Sequence, residues 1–355
     1  MNNFIGERTG KEIRISDNAE NRHILELGLS GTGKSVRMAG IELERVRSGG
    51  TVIAIDTNGR HYGMPLPYTN IIEVCREGLA LDFLSSINNL KGNRVVEISY
   101  IADLLSHGQN LGVRQMNALR QAIDDASKVR EMYASDMVAI GKMLKNQEDA
   151  IADGVYSRLW DIFEGGFFRN SAKTFQLGKM NILSFKGINP STQRTLIEVF
   201  IGALWRKLRM NDSHDTQYDI TLTVDEVQNL SMSKNSVLFE LLTEARAYGL
   251  KLLLATQSMS VFNKIQISAL NQCAIKLMFK PAYNDSSKLS KMMNVNNDKL
   301  WQKILENLKI GEAVAVGSLN CNGKELSNPI ITTMSLERLT ERRMLHEYNR
   351  ENANL

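Results

Sequence analysis

The chain of 355 residues contains only three cysteines, Cys75, Cys273 and Cys321. An odd and widely scattered set argues against a disulfide framework and against a zinc site, because both need cysteines at recurring short spacings. Long apolar runs are missing too, since no stretch approaches the ~20 residues that cross a bilayer. The first residues, "MNNFIGERTGKEIRIS", lack the apolar core of a signal peptide. These absences predict a cytoplasmic protein in a reducing compartment.

Charge of either sign is not in large excess. Lysine and arginine number 43 and aspartate and glutamate 39, which gives a formal net charge of +4. That balance permits contact with nucleic acid but does not require it. With 43% apolar and 23% charged residues, the composition is that of an ordinary globular protein, long enough for one large domain or two smaller ones.

Proline is scarce, and none of the five lies between residues 68 and 189. This gap permits long helices, and Ile151, Val155, Leu159 and Phe163 recur there at helical spacing. We predict a helical insertion over 101–168. The predicted parts are a first segment of the core (1–100), this insertion, a second segment of the core (169–335) and a charged helical tail (336–355).

Short apolar runs alternate with helical patterns on both sides of the insertion, which predicts a mostly parallel sheet covered by helices on both faces. The predicted strands are 23–27, 51–55, 70–75, 179–185, 219–224, 250–255 and 273–279. The predicted helices are 34–47, 191–209, 235–248, 284–293 and 297–308. The later stretches "GEAVAVG" and "NPIITTMSL" are typical of strands at a sheet edge.

The segment "HILELGLSGTGKSVRM" contains a complete phosphate-binding pattern, G-x-x-x-x-G-K-[ST], between a strand and a helix. Glycines allow the backbone to curl so that its N–H groups point at phosphate oxygens, and the helix directs its positive end at the same anion. We expect Lys34 to reach the β- and γ-phosphates of ATP and Ser35 to bind Mg²⁺. The predicted nucleotide contacts are Gly28, Ser30, Gly31, Thr32, Gly33, Lys34, Ser35 and Val36.

The segment "YDITLTVDEVQNL" is an apolar strand that ends on Asp225 and Glu226. Asp225 is predicted to hold the metal beside Ser35, and Glu226 to polarise the attacking water. The alternative is that the acidic pair caps the helix that follows.

The segment "ARAYGLKLLLATQSMS" is an apolar strand that runs into Thr256, Gln257 and Ser258. Ligands collect at the carboxyl ends of parallel strands. If this strand neighbours the strand of Asp225, Gln257 lies at the same rim and can sense the γ-phosphate or the attacking water. The alternative is a polar helix cap by Thr256 or Ser258.

The combination of "DEVQNL", "EARAYGLKLLLATQSMS" and "TVIAIDTNGRHYG" with the phosphate loop resembles the FtsK/HerA superfamily of P-loop motors. The resemblance implies a RecA-like core of the ASCE group and a ring, typically a hexamer, with nucleotide sites between subunits. It also implies that Arg246 acts as an arginine finger on the neighbour's ATP, with Arg194 and Arg206 as alternatives. Members carry membrane segments, a β-barrel or a winged helix beside the motor; here we expect a nearly bare motor core whose specificity comes from a protein partner.

The resemblance favours a ring-forming ATPase that translocates double-stranded DNA. Candidate contacts to DNA are Lys173, Lys179, Lys186 and Lys234. Two alternatives stay open: a protein-export ATPase of the type IV secretion kind, and a regulatory ATPase ring that activates a partner effector such as a nuclease.

Overall fold

The computed structural model describes residues 3–58, 68–88, 93–107, 109–169, 171–210, 219–234, 236–293 and 297–335. The chain forms two compact units. The first comprises Met1–Ile71, Gln176–Leu183 and Ser213–Leu355, and the second comprises Ile72–Phe175 and Ser184–Asp212. The helical insertion expected over 101–168 falls within the second unit, and its boundaries stay a prediction. The predicted helical tail (336–355) lies outside the described residues.

The described residues form thirteen strands. They are β1 (Phe4–Arg8), β2 (Lys11–Ile15), β3 (Ile24–Leu27), β4 (Thr51–Asp56), β5 (Thr69–Glu73), β6 (Met180–Ser184), β7 (Ile220–Val224), β8 (Leu250–Thr256), β9 (Ile275–Met278), β10 (Ala313–Val316), β11 (Leu319–Cys321), β12 (Lys324–Leu326) and β13 (Ile330–Thr332).

The α-helices of the described residues lie mostly between the sheet strands. They are α1 (Lys34–Arg47), α2 (Val74–Glu77), α3 (Ser85–Asn88), α4 (Arg94–Ser106), α5 (Val113–Val129), α6 (Asp136–Lys145), α7 (Ala150–Arg158), α8 (Trp160–Glu164), α9 (Pro190–Met210), α10 (Val237–Glu244), α11 (Lys264–Leu270), α12 (Tyr283–Met293) and α13 (Asp298–Glu306). None of these helices is long and apolar enough to cross a membrane.

The central sheet has nine strands in the order β13-β10-β9-β3-β8-β7-β4-β6-β5. The pairs β9–β3, β3–β8, β8–β7 and β7–β4 are parallel. At one edge of the sheet, β10 pairs antiparallel with β9 and β13 pairs antiparallel with β10. The mostly parallel α/β fold is therefore confirmed, and the two edge strands lie within the stretches expected. The register of β3 against β8 places Leu27 opposite Thr256, and the register of β7 against β8 places Val224 opposite Leu254. The residues that follow β3, β7 and β8 consequently emerge at one rim of the sheet.

A second sheet, β1-β2-β11-β12, was absent from the sequence-based expectation. In the tight turn between β1 and β2, Thr9 and Gly10 have φ values of 47° and 75°. A turn of this kind is typical of a β-hairpin and is a local feature of the sequence. The pairing of β2 with β11 joins residues some 300 positions apart, and local pattern carries no information on such a contact. Ile5, Ile13 and Ile15 from this sheet are buried in one core cluster with residues of β3, β8 and β9.

The second unit is built mainly from helices. Leu119, Ile123 and Ala126 of α5 are fully buried, and α5 contacts α4, α6 and α7. Tyr156 of α7 stacks on Phe163 of α8 with ring centroids 5.7 Å apart. The helical spacing of Val155, Leu159 and Phe163 thus marks core positions, since all three are at most 2% exposed.

Candidate functional site

The phosphate loop depends on backbone conformations that favour glycine. Gly28, Gly31 and Gly33 have φ values of 151°, 78° and 107°. A Cβ at Gly28 would lie 2.7 Å from the Cβ of Phe279, and one at Gly33 would lie 3.1 Å from the Cα of Gly311. Close packing and positive φ therefore both exclude other residues. Helix α1 starts directly after this loop with no side-chain cap, so its N–H groups face the loop.

Lys34 holds its ammonium group within the curl of the loop. Its Nζ donates to the carbonyl oxygens of Gly28 at 2.6 Å and Leu29 at 2.9 Å, and the side chain is nearly buried. Thr32 Oγ1 donates to the same Leu29 carbonyl at 2.7 Å. The positive charge thus lies among the N–H groups, where a polyphosphate would be bound.

Ser35 and Asp225, predicted from sequence to share a metal, lie together. Ser35 Oγ donates to Asp225 Oδ2 at 3.1 Å. The described residues contain no group of three or more His, Cys, Asp and Glu side chains that could hold a metal. Mg²⁺ commonly takes only one or two protein oxygens and fills its remaining positions with water and phosphate oxygens. A hydroxyl and a carboxylate beside a phosphate loop therefore fit Mg²⁺.

Glu226 follows β7 in a left-handed conformation, φ 54° and ψ 51°. A non-glycine residue held there costs on the order of 1–3 kcal/mol, and such strain is concentrated at functional sites. The backbone N–H of Glu226 donates to Asp225 Oδ1 at 2.8 Å, which fixes the turn. Asn229 Nδ2 donates to Glu226 Oε2 at 3.3 Å. The carboxylate makes no cap to the short helical turn that follows, contrary to the capping alternative.

Gln257 lies at the rim expected for it. Its Nε2 donates to Glu226 Oε1 at 3.1 Å, because β7 and β8 are neighbours. The alternative, in which Thr256 or Ser258 beside Gln257 caps a helix, is wrong. Thr256 Oγ1 donates to Gln228 Oε1 and Ser258 Oγ to Asp285 Oδ2, whereas α11 is capped by Asn263.

Arg246 is not brought to the phosphate loop of its own subunit. It lies in a short helical turn before β8, at the amino end of the strand, whereas the loop lies at the carboxyl end of the parallel β3. Its side chain is 56% exposed, and its Nη1 lies 3.5 Å from Glu20 Oε2. Of the alternatives, Arg194 is exposed on α9, and Arg206 pairs with the buried Glu97 in the second unit.

Arg37 is a buried residue of the site that sequence reasoning missed. The guanidinium donates to the carbonyl oxygens of Ile5 at 2.9 Å, Gly311 at 3.0 Å and Thr332 at 3.2 Å. The N–H of Gly311 in turn donates to the carbonyl of Thr32 at 2.9 Å. Arg37 thus ties the first turn of α1 to three distant segments, and burial lowers its pKa to about 10.

Glu26 is a second missed residue, within the strand before the loop. It is fully buried, and neither carboxylate oxygen has a hydrogen-bond partner in the described part of the chain. Burial raises its pKa well above the usual range and the charge of Asp225 adds to this, while Arg37 and Lys34 oppose it. The signal was present in the sequence, since Glu26 is the only charged residue in "ILEL".

A glycine loop between a parallel strand and a helix, with a lysine inside it and a serine–aspartate pair beside it, defines a P-loop NTPase of RecA-like fold. A profile of the family described as "Helicase HerA, central domain" matches residues 4–204, more than half of the chain. The chain belongs to this family, and its likeness to the FtsK/HerA superfamily is confirmed.

Two curated relatives are named DNA double-strand break repair helicase HerA. The chain is 21% identical over 351 residues to the protein from Sulfolobus acidocaldarius and 21% identical over 346 residues to that from Sulfurisphaera tokodaii. Each match covers 89% of this chain and 66% of the relative. The chain therefore spans just under two thirds of the length of these relatives.

Solved structures share the fold. VirB4 of Thermoanaerobacter pseudethanolicus gives a TM-score of 0.71 at 16% identity and covers 94% of this chain and 96% of its own. The plasmid coupling protein TrwB in complex with ADP and Mg²⁺ gives a TM-score of 0.64 at 13% identity, with 91% and 87% covered. At these identities the similarity establishes the common RecA-like fold.

Proposed function

We propose that this chain is the motor core of a ring-forming ATPase that translocates double-stranded DNA. One observation carries the proposal: Glu226 is held in a strained turn, hydrogen-bonded to Gln257, directly after the Asp225 that pairs with Ser35 of the phosphate loop. A carboxylate in that place is suited to activate water beside a bound γ-phosphate.

In the proposed reaction, Lys34 and the N–H groups of residues 31–36 bind and orient the phosphates of ATP. Ser35 and Asp225 would hold Mg²⁺, which would neutralise negative charge on the phosphate oxygens. Glu226 accepts a proton from water as the water oxygen bonds to the γ-phosphorus and the bond to the β-phosphate oxygen breaks. ADP leaves with the electrons of that bond. The amide of Gln257 positions the Glu226 carboxylate and the water.

The ring is proposed because the resemblance implies an arginine finger at Arg246, and Arg246 lies at the opposite end of the strands from its own phosphate loop. Arg246 is exposed at the rim opposite its own phosphate loop, so it can serve only a neighbouring subunit. An arginine supplied from a neighbour stabilises charge in the transition state. We propose a homo-oligomer, with six subunits as the expected number.

DNA is proposed as the substrate because the chain belongs to the HerA family and its named relatives are DNA repair helicases. A cytoplasmic location and a protein partner that supplies specificity belong to the same proposal. For the lysines expected from sequence to contact DNA, Lys173, Lys179, Lys186 and Lys234, that role stays a prediction.

The proposal is tested by measuring ATP turnover with and without a random-sequence DNA duplex, alongside the mass of the assembly. We expect turnover to rise with duplex DNA and the mass to correspond to a ring. Turnover that responds only to a protein partner would contradict the DNA assignment and favour an export or regulatory ATPase. No turnover under any condition would contradict the ATPase assignment itself.

A further inference from the structure

Helices α12 and α13 form a hairpin with an unusual concentration of lysine. We call the lysines of residues 280–309 the lysine surface: Lys280, Lys288, Lys291, Lys299, Lys303 and Lys309. All six are exposed. The structure assigns no ion pair or hydrogen bond to any of their ammonium groups within the described residues. By contrast, Lys128 and Lys251 elsewhere in the chain each pair with aspartate.

The same segment has three carboxylates, and each is already engaged. Asp285 is 2% exposed and accepts from Ser258 and from the Met259 N–H. Glu306 accepts from Ser286 and Gln302 at 2.9 Å each. Asp298 accepts from the backbone of Lys299 at the start of α13. The hairpin therefore presents a positive surface that its own carboxylates do not pair with.

The lysine spacing is unfavourable for the helices themselves. Lys288 and Lys291 are three residues apart on α12, and Lys299 and Lys303 are four apart on α13, so each pair shares one helix face. Like charges at this spacing destabilise a helix by a few tenths of a kcal/mol per pair. Sequences that break a local rule without a structural gain do so mainly at functional surfaces.

The lysine surface is connected to the nucleotide site at two points. The N–H of Leu29 in the phosphate loop donates to the carbonyl of Lys280 at 3.0 Å. Ser258, which follows Gln257, donates to Asp285 in the first turn of α12. Ser286 and Glu306 then join α12 to α13. A ligand on the hairpin therefore lies on a segment that is hydrogen-bonded both to the phosphate loop and to the residue after Gln257.

We propose that the lysine surface binds the phosphate backbone of double-stranded DNA. The inference rests on the proposed motor function and names the surface that grips its substrate. Exposed ammonium groups are compact charges that attract phosphate without reading bases, and binding is driven by the release of counterions. Such sequence-independent contact suits a protein that moves along DNA.

The test compares how variants that remove lysine charge bind duplex DNA across a salt series. Binding is measured by the fluorescence anisotropy of a labelled random-sequence duplex. The variants are Lys288→Gln with Lys291→Gln, and Lys299→Gln with Lys303→Gln. The matched control is Lys11→Gln with Lys324→Gln, two exposed lysines on β2 and β12 whose ammonium groups form no ion pair with the residues that the structure describes. We expect each hairpin pair to weaken binding at least about fivefold and to reduce the slope of log K against log salt by up to about 1.8, since each phosphate contact contributes about 0.9. The control should bind as the wild type does.

If the wild type binds duplex DNA and both hairpin variants bind it with the same affinity, this inference is overturned and the motor proposal stays intact. A wild type that hydrolyses ATP but binds no duplex would instead overturn the DNA substrate. Weaker binding with an unchanged salt slope, or with loss of the ring by mass measurement, would assign the lysines to a protein interface and overturn the phosphate contact.

Discussion

At the residue scale, the proposed mechanism assigns phosphate binding to Lys34 and activation of the attacking water to Glu226. Lys34→Ala removes the ammonium group from the loop, so we expect ATP binding to be lost. Glu226→Gln keeps the shape of the side chain but cannot accept a proton, so ATP affinity should stay within about twofold. Turnover should fall by roughly 10²- to 10⁴-fold, the usual contribution of a general base. Calorimetric titration and phosphate release measure the two quantities.

Glu244→Gln is the matched control for Glu226→Gln, because Glu244 is an exposed carboxylate at the end of α10. It should hydrolyse ATP as the wild type does. Near-normal turnover of Glu226→Gln would show that another group activates the water.

His23 gives a prediction on stability against pH. It is 1% exposed, its Nδ1 accepts from the Leu252 N–H, and burial together with the charges of Arg45 and Arg246 lowers its pKa from 6.5 to about 4. The unfolded chain takes up this proton first as the pH falls. Stability from neutral His23 is therefore present above pH 6.5 and is lost toward pH 4, by about 3 kcal/mol in total.

Urea unfolding of the wild type and His23→Asn at pH 7, 6, 5 and 4 measures this contribution. Asparagine keeps an acceptor for the Leu252 N–H but does not titrate, so the variant should lose less stability than the wild type between pH 6.5 and 4. Parallel losses in the two proteins would rule out His23 as the source.

Single residues of the site differ in how well the sequence predicted them. The loop with Ser35 was predicted from its motif, and Asp225 was predicted from its position at the end of an apolar strand, because both signals are local in the sequence. The bonds of Arg37 to Ile5, Gly311 and Thr332 depend on chain crossings that no local pattern encodes. The left-handed turn at Glu226 was equally hidden, because it is stabilised by tertiary contacts against its local cost.

At the scale of elements, β8 and the segment after it carry Gln257, which we propose senses the γ-phosphate or the attacking water. Gln257→Ala removes the amide that contacts Glu226 but leaves the loop and its lysine in place. We expect turnover to fall by about 10- to 100-fold, while the KM for ATP changes by less than about threefold. Steady-state kinetics separates these effects, and Gln272→Ala, an exposed amide before β9, is the control. Equal turnover in both variants would remove Gln257 from the reaction.

The existence of the central strands was the most predictable feature among the elements, since each stretch predicted as a strand between residues 23 and 279 overlaps one. The boundaries of the elements were less predictable. The stretch 70–75 was expected to be strand throughout, yet β5 ends at Glu73 and α2 begins at Val74. The helix expected over 235–248 ends at Glu244 and continues as a tighter turn to Tyr248. Apolar content alone does not locate such changes of backbone conformation.

At the scale of the whole molecule, the proposal requires each site to be completed by a neighbour. Arg246→Ala should bind ATP and fail to hydrolyse it, and Glu226→Gln should behave likewise for a different reason. A mixed ring contains some interfaces where one subunit supplies Glu226 and its neighbour supplies Arg246. We therefore expect mixing to restore part of the turnover, measured as phosphate release against the ratio of the two variants. A fully active monomer, or no recovery in rings shown to be mixed, would contradict the shared site.

Movement along duplex DNA is the central claim, and displacement of a third strand from a DNA triplex measures it most directly. The third strand is released when a motor travels along the duplex that carries it, without any need to unwind that duplex. We predict release by the wild type with ATP and Mg²⁺, and no release by Glu226→Gln under the same conditions although it still binds ATP. Release by Glu226→Gln at the wild-type rate, or vigorous ATP hydrolysis by wild-type rings on the duplex without any release, would contradict the account.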